Sequence, residues 1–380
     1  MKLFYSYEIV SVEEKPMKEI RVGVIGVGNC FAGLVQGIEY YRRNPDKTVI
    51  GIMHEDIGGY KIFDIKFVSA FDVAENKIGK TLDEAIYQPP NCVDWLPKVP
   101  KIETIVKEAP ILDGVGVYVE KMIKPIKQTK SDEELKREII KELKDTGTEM
   151  LLNYLPVGSE KAVRYWSTIA LEAGVGMINC MPVFIASDKN WAEKFERKKL
   201  PIIGDDIKGQ VGATILNRVL AKLCDDRGTI IDQMYQINVG GNTDFANMLE
   251  RSRLISKKIS KTEAVQSQLT QRLSDDKIYV GPSDFLPFLG NTKICYINIK
   301  GRMFADRPFE IECKLTVDDK ANSAGVAVDA IRCLKLALDR GIGGPLISPS
   351  AYLMKHPPIQ YSDAEAKILM EKYIAGEIER

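Results

Sequence analysis

The stretch Ile20-Arg-Val-Gly-Val-Ile-Gly-Val-Gly-Asn-Cys-Phe-Ala-Gly33 decides the fold of this chain. Residues 20–25 form a short run that is largely apolar and β-branched, which is typical of a strand buried on both faces of a parallel sheet. The run breaks at Gly26 and Gly28, and residues 31–41 then place apolar side chains at helical spacing. This order of strand, glycine turn and helix predicts the opening unit of a doubly wound α/β fold.

The two glycines also begin a dinucleotide-binding motif. Gly26 and Gly28 fit the first two positions of Gly-x-Gly-x-x-Gly. Phe31 stands where the third glycine of the motif belongs. The small residues that would let the helix pack closely on the strand are therefore Ala32 and Gly33. Glycines lack a Cβ atom and let backbone amides approach a pyrophosphate, and the helix N-terminus adds partial positive charge. The context favours dinucleotide binding, with a structural turn in an ordinary α/β domain as the alternative.

Composition and charge narrow the class of protein. With 380 residues, 45% apolar and 28% charged, the chain is long enough for two domains with separate cores. The net charge of zero argues against a nucleic-acid or membrane-surface role, and no apolar run approaches the roughly 18 residues of a membrane span. Seven scattered cysteines without a Cys-x-x-Cys pair predict neither disulfides nor a zinc site, and hence a cytoplasmic protein. Because there are only two histidines, acid–base chemistry is expected to use Lys, Asp, Glu or Tyr.

An acid ends the second strand predicted for this sheet. Residues 44–66 form an insertion, after which 66–72 is a strand that ends in Asp72. In dinucleotide folds such a carboxylate accepts hydrogen bonds from the ribose hydroxyls and disfavours a 2′-phosphate. Asp72 is therefore either a ribose ligand, which would indicate NAD, or a cap for the helix that follows. Residues 3–10 could add a further strand at the edge of the sheet.

Strands and helices continue to alternate up to residue 200. Strands are predicted over 149–155 and 175–180, with a helix over 160–173 between them. Ligands of doubly wound sheets bind beyond the carboxyl ends of the strands, so the residues there are expected to face the same crevice as the glycine loop. These residues are Asn153, Pro156, Gly158, Ser159, Asn179 and Pro182.

The pattern changes after Pro201. Residues 202–210 indicate a turn with two adjacent acids, and a helix is predicted over 212–225. Three stretches then alternate with the period of two that is typical of an antiparallel sheet: 230–239, 293–299 and 309–317. The predicted fold class is α/β, a Rossmann-like doubly wound parallel sheet with a second α+β domain carrying a mostly antiparallel sheet. The predicted domains are a NAD-binding domain at 1–200, a catalytic and oligomerisation domain at 201–310, and a return segment at 311–380 that completes the first domain and closes the active site.

Two lysines one helical turn apart are the candidate catalytic groups. Lys257 and Lys261 lie on one face of a predicted helix, with Ser256 and Ser260 beside them. One interpretation is a solvated lysine face. The other is a catalytic pair, because two neighbouring ammonium groups lower each other's pKa, so that one acts as a base while the other holds an oxyanion.

Six segments in order connect the chain to a known family. They are Val24-Ile-Gly-Val-Gly-Asn-Cys30, Tyr154-Leu-Pro-Val-Gly-Ser-Glu160, Gly204-Asp-Asp-Ile-Lys-Gly-Gln210, Gly241-Asn-Thr-Asp244, Ser256-Lys-Lys-Ile-Ser-Lys261 and Asn322-Ser-Ala-Gly325. On these segments the chain resembles myo-inositol-1-phosphate synthases of the shorter prokaryotic type over nearly its whole length. Gly-x-Gly-Asn-Cys is the usual glycine motif of that family, so the resemblance adds Asn29 and Cys30 to the expected cofactor residues.

The resemblance implies an isomerase that uses NAD without net oxidation and converts D-glucose 6-phosphate to 1L-myo-inositol 1-phosphate. This would be the first step of inositol biosynthesis, which feeds inositol phospholipids. The implied course is oxidation at C5, loss of a C6 proton to form an enolate, attack of C6 on C1, and reduction of C5. Each step develops charge on oxygen or moves a proton beside a phosphate dianion, and a cluster of cations in a dry pocket suits that chemistry.

The resemblance also assigns roles by position. It implies that Lys261 exchanges the C5 hydroxyl proton and that Lys257 stabilises oxyanions. It implies that Lys293 and Lys355 hold the aldehyde oxygen and the phosphate, with an ordinary surface lysine as the alternative for Lys355. It further implies that Asp205 and Asp319 orient lysines or contact a cation, and that Asp205 also lies on the cofactor side. The remaining implied residues contact the substrate: Asn242, Asp244 and Ser323.

Some questions stay open after the sequence. Lys320 stands where the family usually has Ser, so its contribution is undetermined. The resemblance further implies a homotetramer and, in shorter members, a divalent or monovalent cation of unknown identity. Two functions other than inositol phosphate synthesis remain as alternatives. One is a dehydrogenase or reductase of the homoserine dehydrogenase or dihydrodipicolinate reductase type, and the other is a non-enzymatic NAD-binding sensor or scaffold.

Overall fold

The computed structural model describes residues 18–281 and 284–380, which fold around two sheets. The strands are β1 (Ile20–Ile25), β2 (Ile65–Asp72), β3 (Val106–Glu108), β4 (Met150–Asn153), β5 (Gly176–Asn179), β6 (Pro201–Gly204), β7 (Ile230–Gly240), β8 (Ile278–Val280), β9 (Asp284–Phe285), β10 (Thr292–Met303), β11 (Arg307–Asp318) and β12 (Gly344–Pro345). The helices are α1 (Asn29–Arg42), α2 (Leu82–Ala85), α3 (Asp132–Asp145), α4 (Glu160–Ala173), α5 (Lys189–Arg197), α6 (Ala213–Asp226), α7 (Thr243–Asn247), α8 (Ile255–Gln266), α9 (Asp319–Asp339), α10 (Ile347–Leu353) and α11 (Asp363–Ala375). The possible strand at residues 3–10 lies outside the described residues. No helix of the described ranges is long and apolar enough to cross a membrane.

The first sheet has seven strands in the order β12-β6-β5-β4-β1-β2-β3, and its ladders are parallel. β1 pairs with β2 on one side and with β4 on the other. The order of strands therefore reverses at β1, and a crevice opens beyond its carboxyl end, where doubly wound folds bind ligands. This topology confirms the predicted Rossmann-like sheet.

Helices bury both faces of the first sheet. On one face, Phe31 of α1 packs in a core with Ile331 of α9. On the other, Ile139 of α3 and Trp166 of α4 fill a second core. Burying each such side chain contributes roughly 1.5–3 kcal/mol, so the apolar stripes of the helices hold the layers together. After the second sheet the chain thus returns to the first through α9.

The second sheet carries the order β11-β10-β7-β8, with β9 also paired to β7. The two long ladders, β10 with β11 and β10 with β7, are antiparallel, while β8 and β9 lie parallel to β7. The prediction of a mostly antiparallel second sheet is therefore confirmed. Residues of α6 and α8, among them Ala221 and Val265, pack with Ile297 and so cover one face of this sheet.

Two predicted domain boundaries fall inside the sheets. β6 pairs with β5 in the first sheet, so residues 201–204 do not open the second domain, and the turn expected over 202–210 starts only after Gly204. β11 runs beside β10 as far as Asp318, so the second sheet continues past the boundary expected at 311. β6 escaped prediction because its four residues are all buried and show no alternation.

The insertion at 44–66 packs against α9 and not against the cofactor crevice. The backbone N–H of Met53 donates to the Asp329 carboxylate at 3.0 Å. The buried guanidinium of Arg332 donates to the carbonyls of His54 and Glu55 at 2.7 and 2.9 Å. These bonds satisfy polar groups on both segments, so the insertion is part of the scaffold beside α9.

Candidate active site

The glycine loop between β1 and α1 leaves its backbone open. Gly26 has φ +89°, and a Cβ atom there would lie 2.8 Å from the carbonyl oxygen of Tyr154. At Gly28 a Cβ atom would meet no atom within 4 Å, because it would point into an open crevice. No side chain caps the N-terminus of α1. The loop thus offers free space beside helix amides, which is the arrangement that receives a pyrophosphate.

Asp72 and Lys77 hold this loop in place. The backbone N–H of Val27 donates to Asp72 Oδ2 at 2.8 Å, and the N–H groups of Val73 and Ala74 donate to Oδ1. Lys77 Nζ donates to the carbonyl of Val27 at 2.8 Å, and burial lowers the pKa of Lys77. A turn follows Asp72, since α2 begins only at Leu82, so Asp72 caps no helix and instead braces the glycine loop at the edge of the crevice.

Six of the expected cofactor residues line this crevice. They are Gly26, Gly28, Asn29, Cys30, Asp72 and Pro156. The opposite wall is apolar and includes Val115, Val119 and Trp166. A cleft with one polar edge and apolar walls fits a dinucleotide, whose rings pack on the walls while its phosphates meet the loop.

The other expected cofactor residues lie behind the crevice. Asn153 donates to the side-chain oxygen of Asn179 at 2.9 Å in a buried network. Ser159 donates to the carbonyl of Pro156, and a Cβ atom at Gly158 would lie 2.5 Å from Cβ of Arg253. Neither these four residues nor the buried Pro182 belongs to the wall of the crevice. They lie at the expected edge of the sheet and shape the strand ends that support the pocket.

The four predicted lysines meet in a second cavity next to the crevice. Lys257 and Lys261 project from α8 with only 8% and 5% exposure, whereas Lys258 between them is exposed. Lys293 comes from the start of β10 and Lys355 from the segment after α10, and all four line the same cavity. The interpretation of Lys257 and Lys261 as a solvated face is therefore wrong, and Lys355 is not an ordinary surface lysine.

The two lysines of α8 differ in charge. Burial lowers the pKa of Lys261 well below its usual value, and the ammonium groups of Lys257, Lys293 and Lys355 lower it further. Burial also disfavours the charge on Lys257, but the carboxylates around it, led by Asp206, outweigh burial and raise its pKa. The site therefore holds one lysine that loses its proton readily beside one that keeps it, as a base and an oxyanion stabiliser require.

Asp206 organises this cluster. Its Oδ1 accepts from Lys355 Nζ at 2.8 Å and its Oδ2 from the hydroxyl of Ser260 at 2.7 Å. Although burial opposes the charge, Lys355 and Lys257 lower the pKa of Asp206 to about 2. Main-chain hydrogen bonds between the segments 205–208 and 353–356 bring Lys355 beside this carboxylate.

Asp205, which was expected to act in catalysis and cofactor binding, has a different place. It is fully buried, and burial raises its pKa to about 6. Its two oxygens accept from Asn179 Nδ2, from the backbone N–H groups of Ile185, Ala186 and Ser187, and from the Ser187 hydroxyl. Both residues lie beyond the end of β6, and Asp206 has φ +63°, so the chain turns between them: Asp205 braces a loop while Asp206 lines the cavity. The sequence marked the acidic pair but not which acid faces inward.

Asp319, at the start of α9, joins the lysines to the loop at 241–244. Lys293 Nζ lies 3.3 Å from Asp319 Oδ1, and Asn242 Nδ2 donates to Oδ2 at 3.1 Å. Despite burial, Lys320 and Lys293 hold the pKa of Asp319 far below its usual range. Asp244 lines both the crevice and the lysine cavity.

Two further residues line the cavity, and a third lies behind it. Ser323 lines it, as expected, whereas Asn242 is buried and acts through Asp319. Lys208, which the sequence did not single out, also lines the cavity, and burial together with Arg218 lowers its pKa to about 7. Lys208 lies in the family-like segment 204–210, but the resemblance assigned it no role.

Known proteins resemble this chain over almost its full length. A family model described as myo-inositol-1-phosphate synthase matches residues 212–320. The inositol-3-phosphate synthase of Mycolicibacterium smegmatis is 49% identical, over 94% of this chain and 98% of that relative. The protein of the same name from Corynebacterium glutamicum is 45% identical, over 93% and 98%.

Solved structures share the fold. The crystal structure of Ari2 has a TM-score of 0.76 and 29% identity, covering 94% of this chain and 99% of that one. The inositol-3-phosphate synthase of Caenorhabditis elegans has a TM-score of 0.74 over 94% and 85% of the two chains, at 14% identity. The second likeness shows the fold alone.

Proposed function

The chain belongs to the myo-inositol-1-phosphate synthase family, and from that premise we propose that it converts D-glucose 6-phosphate to 1L-myo-inositol 1-phosphate with bound NAD and no net oxidation. The observation that carries the proposal is the meeting of four lysines, two buried and two partly buried, in a cavity that adjoins the glycine-loop crevice. The two spaces share Cys30, Tyr154, Met181, Asp244 and Lys320, so a cofactor in one would reach a substrate in the other.

The residues of the crevice fit NAD. The open space at Gly28 is where a Cβ atom would obstruct a pyrophosphate, and Asp72 at the crevice edge suits the hydroxyls of a ribose. A 2′-phosphate would meet the carboxylate of Asp72, which supports NAD over NADP. When bound, NAD supplies hydride acceptance from C5 of the substrate and hydride return to it.

Lys261 and Lys257 have different roles at the C5 oxygen: one transfers a proton and the other stabilises negative charge. With its lowered pKa, Lys261 Nζ takes the proton of the C5 hydroxyl as the C5–H bond breaks, and it returns that proton when C5 is reduced. Lys257, whose ammonium keeps its charge, stabilises the oxygen of the enolate that forms as the C6 proton passes to the phosphate dianion of the substrate. The phosphate gives this proton to the C1 oxygen after ring closure. Both groups lie on one helix face, so their separation is fixed by the helix.

Lys293 and Lys355 supply charge at the other end of the substrate. Attack of C6 on C1 turns the aldehyde oxygen into an alkoxide, and a buried ammonium lowers the energy of that charge. Asp319 and Asp206 hold the two lysines through the contacts at 3.3 and 2.8 Å. Ammonium groups held by a scaffold do not need to reorganise as charge develops, which is why such sites accelerate reactions.

One incubation tests the proposal. Purified protein is mixed with NAD and glucose 6-phosphate, inositol phosphate is assayed by its lability to periodate, and absorbance at the NADH wavelength is followed. We expect product without accumulation of NADH. Accumulation of NADH in step with substrate use would indicate a dehydrogenase, and no turnover with unchanged NAD binding would indicate a sensor. Lys258→Met, on the exposed face of α8, serves as the control.

The family resemblance also supports a homotetramer. The face of the second sheet turned away from α6 and α8 exposes Tyr235 and Tyr296, each by about two fifths. Open, aromatic-rich sheet faces are typical of surfaces that associate. We propose that this face pairs with its counterpart in another copy, and that residues 205–318 form most of the associating domain.

A further inference from the structure

Lys320 occupies the junction between the cofactor crevice and the lysine cavity. It is the second residue of α9, its side chain is only 3% exposed, and it lines both spaces. Its stem fits there because Gly33 of α1 has no side chain: a Cβ atom at Gly33 would lie 3.1 Å from Cβ of Lys320. The close approach of the two helices thus places residue 320 at the centre of the site.

The ammonium of Lys320 is held between acids. Lys320 Nζ lies 3.0 Å from Asp319 Oδ2. Burial lowers the pKa of Lys320, but the negative charge of Asp319 outweighs burial. Cys30 and Asp244 raise this pKa further, so that it lies well above its usual value. Lys261 in the same cavity has a strongly lowered pKa. Lys320 is therefore a permanent cation, not a group that exchanges protons.

An inorganic cation does not fit at these acids. Both oxygens of Asp319 are engaged, Oδ1 by Lys293 and Oδ2 by Lys320 and Asn242. Magnesium and calcium require several oxygen ligands, mostly carboxylates and carbonyls. Within residues 18–281 and 284–380, no group of three or more His, Cys, Asp or Glu side chains could hold a metal ion. A further positive ion beside Lys320 would also meet its repulsion.

We propose that the Lys320 ammonium is the resident cation of this active site and takes the place of an inorganic cation, so that the reaction proceeds without one. The inference deepens the proposed function, since it concerns the same site. It predicts that removal of the side chain leaves Asp319 and Asp244 short of a counter-charge at the point where the two cavities join. An added cation would then be attracted to that point.

A binding experiment tests the inference independently of turnover. The wild type and Lys320→Ser are stripped with a chelator and titrated with Mn²⁺ by calorimetry. We expect no saturable site at Asp319 in the wild type and a saturable Mn²⁺ site in the variant, because two carboxylates lose a neighbouring charge. One tight Mn²⁺ ion per wild-type chain, abolished by Asp319→Asn, would overturn the inference. Lys258→Ser, the same change at an exposed position, controls for non-specific binding.

Turnover gives the second readout. The stripped wild type should keep its rate of inositol phosphate formation, and neither ammonium nor Mg²⁺ should raise it more than about twofold. Lys320→Ser should lose at least about tenfold and regain part of the loss with added ammonium, while Lys320→Arg retains cation-independent activity. A wild type that loses its activity on stripping and regains it with a metal would contradict the inference. Absence of product from every protein would contradict the proposed function, while the Mn²⁺ titration would still decide the role of Lys320.

Discussion

Lys355 donates a hydrogen bond of 2.8 Å to Asp206, whereas the adjacent Asp205 turns away and binds a loop. We expect Asp206→Asn to fold normally and to lose at least about tenfold in rate, because Lys257 and Lys355 lose the carboxylate that raises their pKa. Lys261 also loses a charge that raises its pKa, so both limbs of the pH profile should move to lower pH. The profile of kcat/KM measures this, and an unshifted profile would count against the assignment.

Asp205→Asn is the matched change at the neighbouring position. An amide nitrogen there would face backbone N–H groups that now donate to a carboxylate, so the free energy of unfolding should fall by about 1–3 kcal/mol. Urea unfolding measures the loss. The pH profile of kcat/KM, measured under conditions in which the variant is folded, should stay unchanged, because Asp205 does not line the lysine cavity. A catalytic defect without loss of stability would instead support the role first expected for Asp205.

Lys261→Met removes the proposed base. We expect kcat to fall by about 10²–10⁴. In the wild type, activity should rise with pH as Lys261 loses its proton, at a pH well below that of an ordinary lysine, since burial and nearby ammonium groups lower its pKa. The residual activity of the variant should lack this rise, and Lys257→Met should keep it. Wild-type-like activity in Lys261→Met would contradict the mechanism.

The glycine loop allows a paired test. In Gly28→Ala the new methyl group meets no protein atom, so stability should change by less than about 0.5 kcal/mol while NAD affinity falls at least about tenfold. In Gly26→Ala the residue has φ +89° and crowds the carbonyl of Tyr154, so stability should fall by roughly 1–3 kcal/mol. Calorimetry with NAD and urea unfolding separate the two effects. Unchanged NAD affinity in Gly28→Ala would place the pyrophosphate elsewhere.

Local pattern predicted those elements whose burial follows a regular period. The strand and helix around Gly26 and the long antiparallel strands show such a period, and their bounds agree with the structure to within a few residues. β6 and β12 are too short to show any period, and α10 carries one proline and two serines, which are also common in turns. Their place is set by tertiary packing against β5 and α9.

The candidate site was only partly visible for a related reason. Lys257 and Lys261 are close in sequence, so helical spacing alone placed them together. Lys293 and Lys355 reach the cavity through the return of β10 and the segment after α10, which only the family resemblance anticipated. Lys208 could not be predicted, since its burial depends on residues far away in the chain.

Lys208 gives a pH test of stability. Burial and Arg218 lower its pKa to about 7 in the folded protein, against an ordinary value of 10.5. Between these two values the unfolded chain binds more protons, so this group makes stability rise with pH, by at most about 1.4 kcal/mol per unit. The free energy of unfolding of Lys208→Met, relative to that of the wild type, should therefore be highest below pH 7. The difference between the two proteins should shrink as the pH rises towards 10. Urea unfolding of both proteins at pH 6 and 9 measures the difference, and a constant difference would contradict the lowered pKa.

The open face of the second sheet leads to the last prediction. Tyr296 is 40% exposed at the centre of this face, opposite Ile237 of β7. If the face pairs with another copy, Tyr296→Ala removes an aromatic side chain from the centre of the interface, a truncation that typically costs about 2 kcal/mol or more. Sedimentation at low protein concentration should then show the mass falling from four times the 42.6 kDa of one chain to a smaller assembly. Tyr118→Ala, at a tyrosine that is 47% exposed on the first domain, should leave the mass unchanged. An intact tetramer in Tyr296→Ala would move the interface to another surface, because the loss of a central aromatic side chain from every copy weakens an interface that buries it.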